Sequence, residues 1–281
     1  MISGQARLAG VAGWPVAHSR SPRLHNYWLA EYGIDGAYLP LAIRPEDFAE
    51  AVRALPKLGF RGCNVTMPHK EAALALVDEV DPAARRIGAV NTIVASPDGG
   101  LWGGNTDAFG FMQALREGAP DLDLATGGVV LIGAGGAARA IAVALLEAGA
   151  GRVVVANRTE ARARSLAEAL DGAVDVVPWA DRQRALAGAG LLVNSTTQGM
   201  QGQPPLELSL EPLPAEAVVF DAVYTPLLTP LLAEARARGN LAVDGLGMLL
   251  HQARPGFAAW FEHEPVVSEA LRQHILADLG A

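Results

Sequence analysis

The chain has 281 residues, half of them apolar, with a formal net charge of -8. That length suits two modest domains with a core each. The acidic balance, without a dense Lys/Arg run, speaks against nucleic acid. No apolar stretch approaches a membrane span or a secretory signal, and the single cysteine, Cys63, excludes an intrachain disulfide or a multi-cysteine metal site. A cytoplasmic address is the resulting expectation.

In chain order, Arg7 to Val11 reads as a short strand, followed by the loop signal Gly13-Trp14-Pro15. Pro22 to Tyr32 reads as a helix with Ser21 as N-cap. Strand Ala37 to Ala42, helix Glu46 to Leu55 and strand Phe60 to Thr66 follow, and Pro68 opens another helix. Val90 to Ala95 and Leu101 to Trp102 flank the hairpin turn Ser96-Pro97-Asp98-Gly99-Gly100. Asp107 begins a helix running to about Arg116. The Gly-, Asp- and Pro-rich segment Glu117 to Gly128 marks a domain change.

Beyond it the pattern is regular. Strands are expected at 129–132, 152–156, 174–177, 191–194, 218–221 and 241–243, with helices at 137–147 and, capped by Thr159, at 160–170. Such alternation predicts an α/β fold with a parallel sheet covered on both faces. After Asp244-Gly245 the chain turns helical, through about 248–261 and 268–279, and these helices are expected to return to the first domain. The expected division is 1–107, completed by 246–281, as a substrate-binding catalytic domain, and 108–245 as a Rossmann-type dinucleotide domain.

Gly133-Ala134-Gly135-Gly136-Ala137-Ala138 lies between a strand and a helix, which is the context a dinucleotide fingerprint requires. The first glycine allows the tight turn, the second lets backbone approach the pyrophosphate, and small Ala138 lets helix and strand pack closely. The next strand ends in Ala156-Asn157-Arg158-Thr159, with Arg162 one turn later. An NAD site usually carries Asp or Glu there for the ribose 2′-hydroxyl; guanidinium groups instead fork onto a 2′-phosphate. NADP is the expected cofactor.

Five further clusters belong together: His18-Ser19-Arg20-Ser21-Pro22, Asn64-Val65-Thr66-Met67-Pro68-His69-Lys70, Ala89-Val90-Asn91-Thr92, Gly104-Asn105-Thr106-Asp107 and Asp244-Gly245-Leu246-Gly247-Met248. In this order, over nearly the whole chain, they resemble the shikimate dehydrogenase family. The resemblance implies reversible NADPH-dependent reduction of 3-dehydroshikimate to shikimate, with Lys70 and Asp107 as catalytic pair. It implies substrate contacts from Ser19 and Ser21 to the carboxylate, from Asn64, Thr66, Asn91 and Gln252 to the ring hydroxyls and neighbouring groups, and from Tyr224 near the carboxylate. Thr196 to Met200, Ala222 and Gly245 would edge the nicotinamide.

Chemistry supports Lys70 independently. Reducing a ketone needs a proton for oxygen, which Arg does not release near neutral pH and Lys can. Lys57 and Lys70 are the only lysines in a chain that otherwise uses Arg. Asp107 reads both as a helix cap and as the partner that fixes the ammonium; which of the two moves the proton stays open. Ser21 is explained equally well as a cap, Cys63 reads as buried packing, the histidines lack metal-ligand spacing, His251 reads as helix surface or cleft wall, and the tryptophans as core or cleft wall. A quinate-type paralogue, perhaps NAD-dependent, and a non-catalytic NADP-sensing protein are the competing readings; a folate-linked dehydrogenase would leave the Ser-x-Ser and Asn-Val-Thr clusters unexplained. A monomer or a homodimer fits equally.

Overall fold

A computed structural model describes residues 2–279. They divide into two compact units, the first formed by residues up to Thr106 with Gln252–Asp278, the second by Asp107–His251 with Leu279.

The first unit contains β1 (Arg7–Gly13), α1 (Ser21–Glu31), β2 (Gly36–Ala42), α2 (Phe48–Ala54), β3 (Phe60–Val65), α3 (Lys70–Leu76), β4 (Glu79–Val80), α4 (Pro82–Ile87), β5 (Thr92–Ala95) and β6 (Leu101–Gly104). Its sheet runs β2-β1-β3-β5-β6-β4, with β5 antiparallel to both neighbours and the other pairs parallel. Helix α1 starts at Ser21, one residue before the expected start, so Arg20 holds the N-cap position. The serine that supports this start is Ser19, whose Oγ accepts from the Ser21 N–H at 3.3 Å. β4 and α4 lie outside the expected elements; Asp81 caps α4 by accepting from the N–H groups of Ala83 and Ala84 at 3.0 and 3.1 Å. The first hairpin strand and the helix after Pro68 start later than expected, at Thr92 and Lys70, and the first turn expected at Glu46 is a separate 3-10 turn, Pro45–Asp47.

The second unit contains α5 (Asp107–Gly118), β7 (Gly128–Ile132), α6 (Gly136–Glu147), β8 (Val153–Ala156), α7 (Glu160–Ala169), β9 (Asp175–Val177), β10 (Ala189–Asn194), β11 (Val218–Asp221), α8 (Pro230–Arg238) and β12 (Leu241–Val243). All its strand pairs are parallel, in the order β12-β11-β10-β7-β8-β9. This is the doubly wound order, reversing between β7 and β10, where the crevice at the strand carboxyl ends receives ligands. The central strands are apolar runs without alternation because helices cover both faces. Helix α6 is rich in alanine, which permits burial nearly all round and close packing against α5.

Two helices end the chain, α9 (Leu246–Phe261) and α10 (Glu269–Leu279). From Gln252 to Asp278 they complete the first unit, where Phe257 and Trp260 join Trp28, His25 and Tyr38 in an aromatic cluster. Buried indoles need a partner for their N–H; Trp260 donates to the Ile93 carbonyl and Trp28 to that of Val266, each at 3.0 Å. Gly62 makes this packing possible. Its φ is 142°, and a Cβ there would fall on the Ile93 carbonyl and the Trp260 indole nitrogen. Gly62→Ala is expected to cost about 3 kcal/mol through backbone strain and steric conflict; a urea midpoint equal to that of the parent protein would refute this.

Candidate active site

In the first unit the polar clusters gather where β3, β5 and β6 meet their loops. Asn64, next to last in β3, is buried; its Nδ2 donates to the Asn91 carbonyl and to Thr92 Oγ1, each at 3.2 Å. Asn91 Oδ1 accepts from the Thr106 N–H at 2.9 Å, from Thr106 Oγ1 at 3.2 Å and from Thr92 Oγ1 at 2.9 Å. Donors saturate that oxygen. Asn105 donates to the Ala89 carbonyl at 2.9 Å. The Thr66 N–H donates to Ala12 and the Val65 N–H to Asn91, at 2.9 and 2.8 Å. Lys70 is the first residue of α3, and its carbonyl accepts from the Val90 N–H at 2.9 Å. Thus Asn64, Thr66, Lys70 and Asn91 lie on segments bonded to one another. Ser21 opens α1 and is buried, and Ser19 lies in the loop before it.

The second unit carries the dinucleotide elements at the carboxyl ends of its strands. Gly133 follows β7 with φ of 116°, and a Cβ there would strike Ser195 Oγ beyond β10. A Cβ at Gly135 or Gly136 would meet no atom within 4 Å. Gly135, in the N-cap position of α6, has no side chain to spend on the first-turn N–H groups, which are the groups that cradle a phosphate. The turn therefore fits a pyrophosphate, with Ala134 buried behind it and Ala137 in the first turn of α6. Beyond β8, Asn157 Nδ2 donates to the Thr159 carbonyl at 2.8 Å. Arg158 and Arg162 are exposed there, and the Thr159 hydroxyl does not take the capping bond expected of it.

A buried pair behind the next two loops was visible in the sequence only as pattern residues. Asn194, last in β10, donates to Asp221 Oδ1, last in β11, at 2.9 Å. Asn194 Oδ1 accepts from the Thr196 N–H at 3.0 Å and from Thr196 Oγ1 at 2.8 Å. Asp221 also accepts from the Val223 N–H at 3.0 Å and from Thr229 Oγ1 at 2.6 Å. One carboxyl thus holds both the Thr196 loop and the loop of Ala222 and Tyr224. Gln201 reinforces the link by donating to the Thr225 carbonyl at 2.8 Å, while the Gly245 N–H donates to Val223 at 3.3 Å. Burial pushes the Asp221 carboxyl up to about 6 despite its three donors.

Asp107 is the first residue of α5 and is buried; Tyr224 is half-buried in the second unit, and Gln252 is half-buried on α9 in the first. His251 is not on a helix surface: it is buried, with Nε2 2.8 Å from Glu117. His69 stacks on Phe48, with Nε2 2.8 Å from the Ile43 carbonyl. Burial raises the Cys63 thiol to about 12, so it packs rather than reacts. Of the tryptophans, read as core or cleft wall, Trp14 and Trp102 are not core, being 42% and 39% exposed.

Two family models match the chain, the shikimate dehydrogenase substrate-binding domain over residues 11–93 and shikimate/quinate 5-dehydrogenase over 116–201. A shikimate dehydrogenase (NADP(+)) of Paramagnetospirillum magneticum is 59% identical, covering 98% of this chain and all of its own. Shikimate 5-dehydrogenase of Thermus thermophilus, solved with NADP(H) and shikimate, is 41% identical with a TM-score of 0.85, over 95% of this chain and 99% of its own. Quinate dehydrogenase of Corynebacterium glutamicum, solved with NAD, is 34% identical with a TM-score of 0.91, over 97% and 99%.

The Asp221 carboxyl has a consequence for stability. Its native pKa is raised above the unfolded value, so its contribution is full below about pH 4 and is lost as pH rises through about 6, a change of about 3 kcal/mol. Asp221→Asn removes this titration. The stability of the parent protein relative to the variant is expected to fall from pH 4 to pH 7, measured by urea unfolding; a constant difference would contradict it.

Proposed function

The chain belongs to the shikimate dehydrogenase family, and on that premise we propose which of its residues carry the reversible NADPH-dependent reduction of 3-dehydroshikimate to shikimate. When bound, NADPH supplies the hydride that the carbonyl carbon accepts. The carbonyl oxygen takes a proton, and Lys70 and Asp107 are the catalytic pair for that transfer. Ser19 and Ser21 bind the carboxylate with Tyr224 near it, while Asn64, Thr66, Asn91 and Gln252 bind the ring hydroxyls and neighbouring groups. The first unit is the substrate domain and the second the NADP domain.

The observation that carries this reading is the position of Lys70. A lysine at the first position of a helix meets the positive end of the helix dipole, which disfavours it by a few tenths of a kcal/mol or more. A chain with only two lysines accepts that cost where its backbone is bonded to the Asn91 segment. For the cofactor, Gly133 to Ala137 hold the pyrophosphate, and Asn157, Arg158, Thr159 and Arg162 hold the 2′-phosphate end. Thr196, Ala222 and Gly245 edge the nicotinamide. The likeness to quinate dehydrogenase supports quinate with NAD as a second reading, against which Arg158 and Arg162 stand. No described helix is long and apolar enough to cross a membrane; a cytoplasmic monomer or homodimer completes the proposal.

Lys70→Ala is expected to lower kcat by at least about a hundredfold, while fluorescence titration still shows NADP binding; near-parental turnover would overturn the role of Lys70. Arg158→Ala is expected to raise KM for NADP about tenfold and leave KM for NAD unchanged. Equal changes for both cofactors would reject the 2′-phosphate assignment. Rates on shikimate and quinate, each with NADP and NAD, separate the two substrate readings.

A further inference from the structure

Behind the residues assigned to substrate stands one buried hydroxyl. Tyr38, on β2, is 1% exposed, and its Oη donates to Asn64 Oδ1 at 2.6 Å. A carboxamide offers two donors and two acceptor positions. Asn64 spends both donors on the Asn91 carbonyl and Thr92 Oγ1. Tyr38 occupies one acceptor position of Oδ1. Asn64 therefore meets a ligand hydroxyl as an acceptor, from an amide whose orientation the protein fixes on both sides.

Tyr38 is itself tightly held. The His25 ring lies face to face on it at 4.0 Å, with the planes 4° apart, and Trp260 packs against both at 5.9 and 5.7 Å. His25 stands one helical turn beyond Ser21 on α1 and is fully buried, with neither ring nitrogen bonded to a described residue. Burial lowers its pKa to about 3, with Asn64 opposing more weakly, so the stacked face is uncharged. Burial and the neighbouring Cys63 raise the Tyr38 phenol well above its usual value, with Ser21 opposing, so the hydroxyl stays a donor. Thus one phenol hydroxyl lies among Ser21, His25 and Asn64.

We propose that Tyr38 is a positioning residue for this reaction: its hydroxyl sets the Asn64 carboxamide as the acceptor of a substrate ring hydroxyl, and the stacked His25 ring keeps the phenol in place. This rests on the assignment of Asn64 to substrate. Tyr38→Phe keeps the ring and removes only the hydroxyl. In the full-length enzyme it is expected to raise KM for shikimate about tenfold, with kcat and KM for NADP changing by less than about twofold. Because Tyr38 acts through Asn64, the same replacement in an Asn64→Ala background is expected to add no further change in KM. His25→Phe, which retains a stacked face, is expected to leave KM for shikimate within about threefold, and His25→Ala to raise it as Tyr38→Phe does.

A KM for shikimate unchanged in Tyr38→Phe, or effects that multiply in the double variant, would overturn the proposal. So would equal shifts in both substrates' KM values together with a lowered thermal midpoint, the signature of a structural role alone. An Asn64→Ala enzyme with parental KM would remove the underlying substrate assignment instead. A raised KM in Asn64→Ala beside an unchanged one in Tyr38→Phe would remove the role of Tyr38 only.

Discussion

A strand that reaches the edge of a sheet passes its chain to a loop with no ladder to continue. Peptide groups buried in such loops must find other partners, because an unpaired buried N–H or C=O costs about as much as a lost hydrogen bond. Side-chain amides meet that demand here. Asn64 caps the Asn91 carbonyl, Asn91 takes the Thr106 N–H, Asn105 takes the Ala89 carbonyl, and Asn194 takes the Thr196 N–H. Asn240 does the same elsewhere, donating to the carbonyls of Pro214, Ala215 and Ala217. An amide suits the task because it donates and accepts at once without charge.

The same constraint orders the polar segments within each unit. A loop pinned by buried amides has little freedom, so the side chains it carries arrive in fixed orientations. In the first unit the pinned segments carry Thr66, Lys70 and Asn91. In the second, Asn194 and Asp221 pin the segments carrying Thr196, Ala222 and Tyr224. Asp221 departs from the uncharged pattern; a carboxyl with three donors is a stronger anchor, and its burial makes that anchor sensitive to pH.

Residue identity made part of this legible in the sequence. Gly133 could be read because a positive φ and a close approach to Ser195 both demand glycine. Strand–helix alternation gave the parallel sheet of the second unit, since each central strand is buried on both faces. The antiparallel pairing of β5 with β6 was legible in the hairpin turn at 96–100, whereas its antiparallel pairing with β3 was not, because periodicity does not encode direction. β4 and α4 escaped notice for their brevity, although Asp81-Pro82 was a usable start signal. Ser19 rather than Ser21 supports the start of α1, a distinction hidden in the sequence because both satisfy the same local rule. The pairs Tyr38–Asn64 and Asn194–Asp221 join residues 26 and 27 positions apart. Only topology brings such residues together, so spacing along the chain does not announce them.

The first unit is built from two separated stretches of chain, residues up to Thr106 and Gln252–Asp278, whereas the second is nearly continuous. During translation, the intervening unit leaves the ribosome complete while its predecessor still lacks two helices. Gly62 waits for Trp260, whose indole bonds Ile93 across 167 residues of chain. Until then the aromatic wall around Tyr38 and His25 is unfinished and its apolar surface stays in water. Nascent-chain handling, and the yield of any truncated form, therefore depend on the final helices more than on the glycine turn that marks the fold.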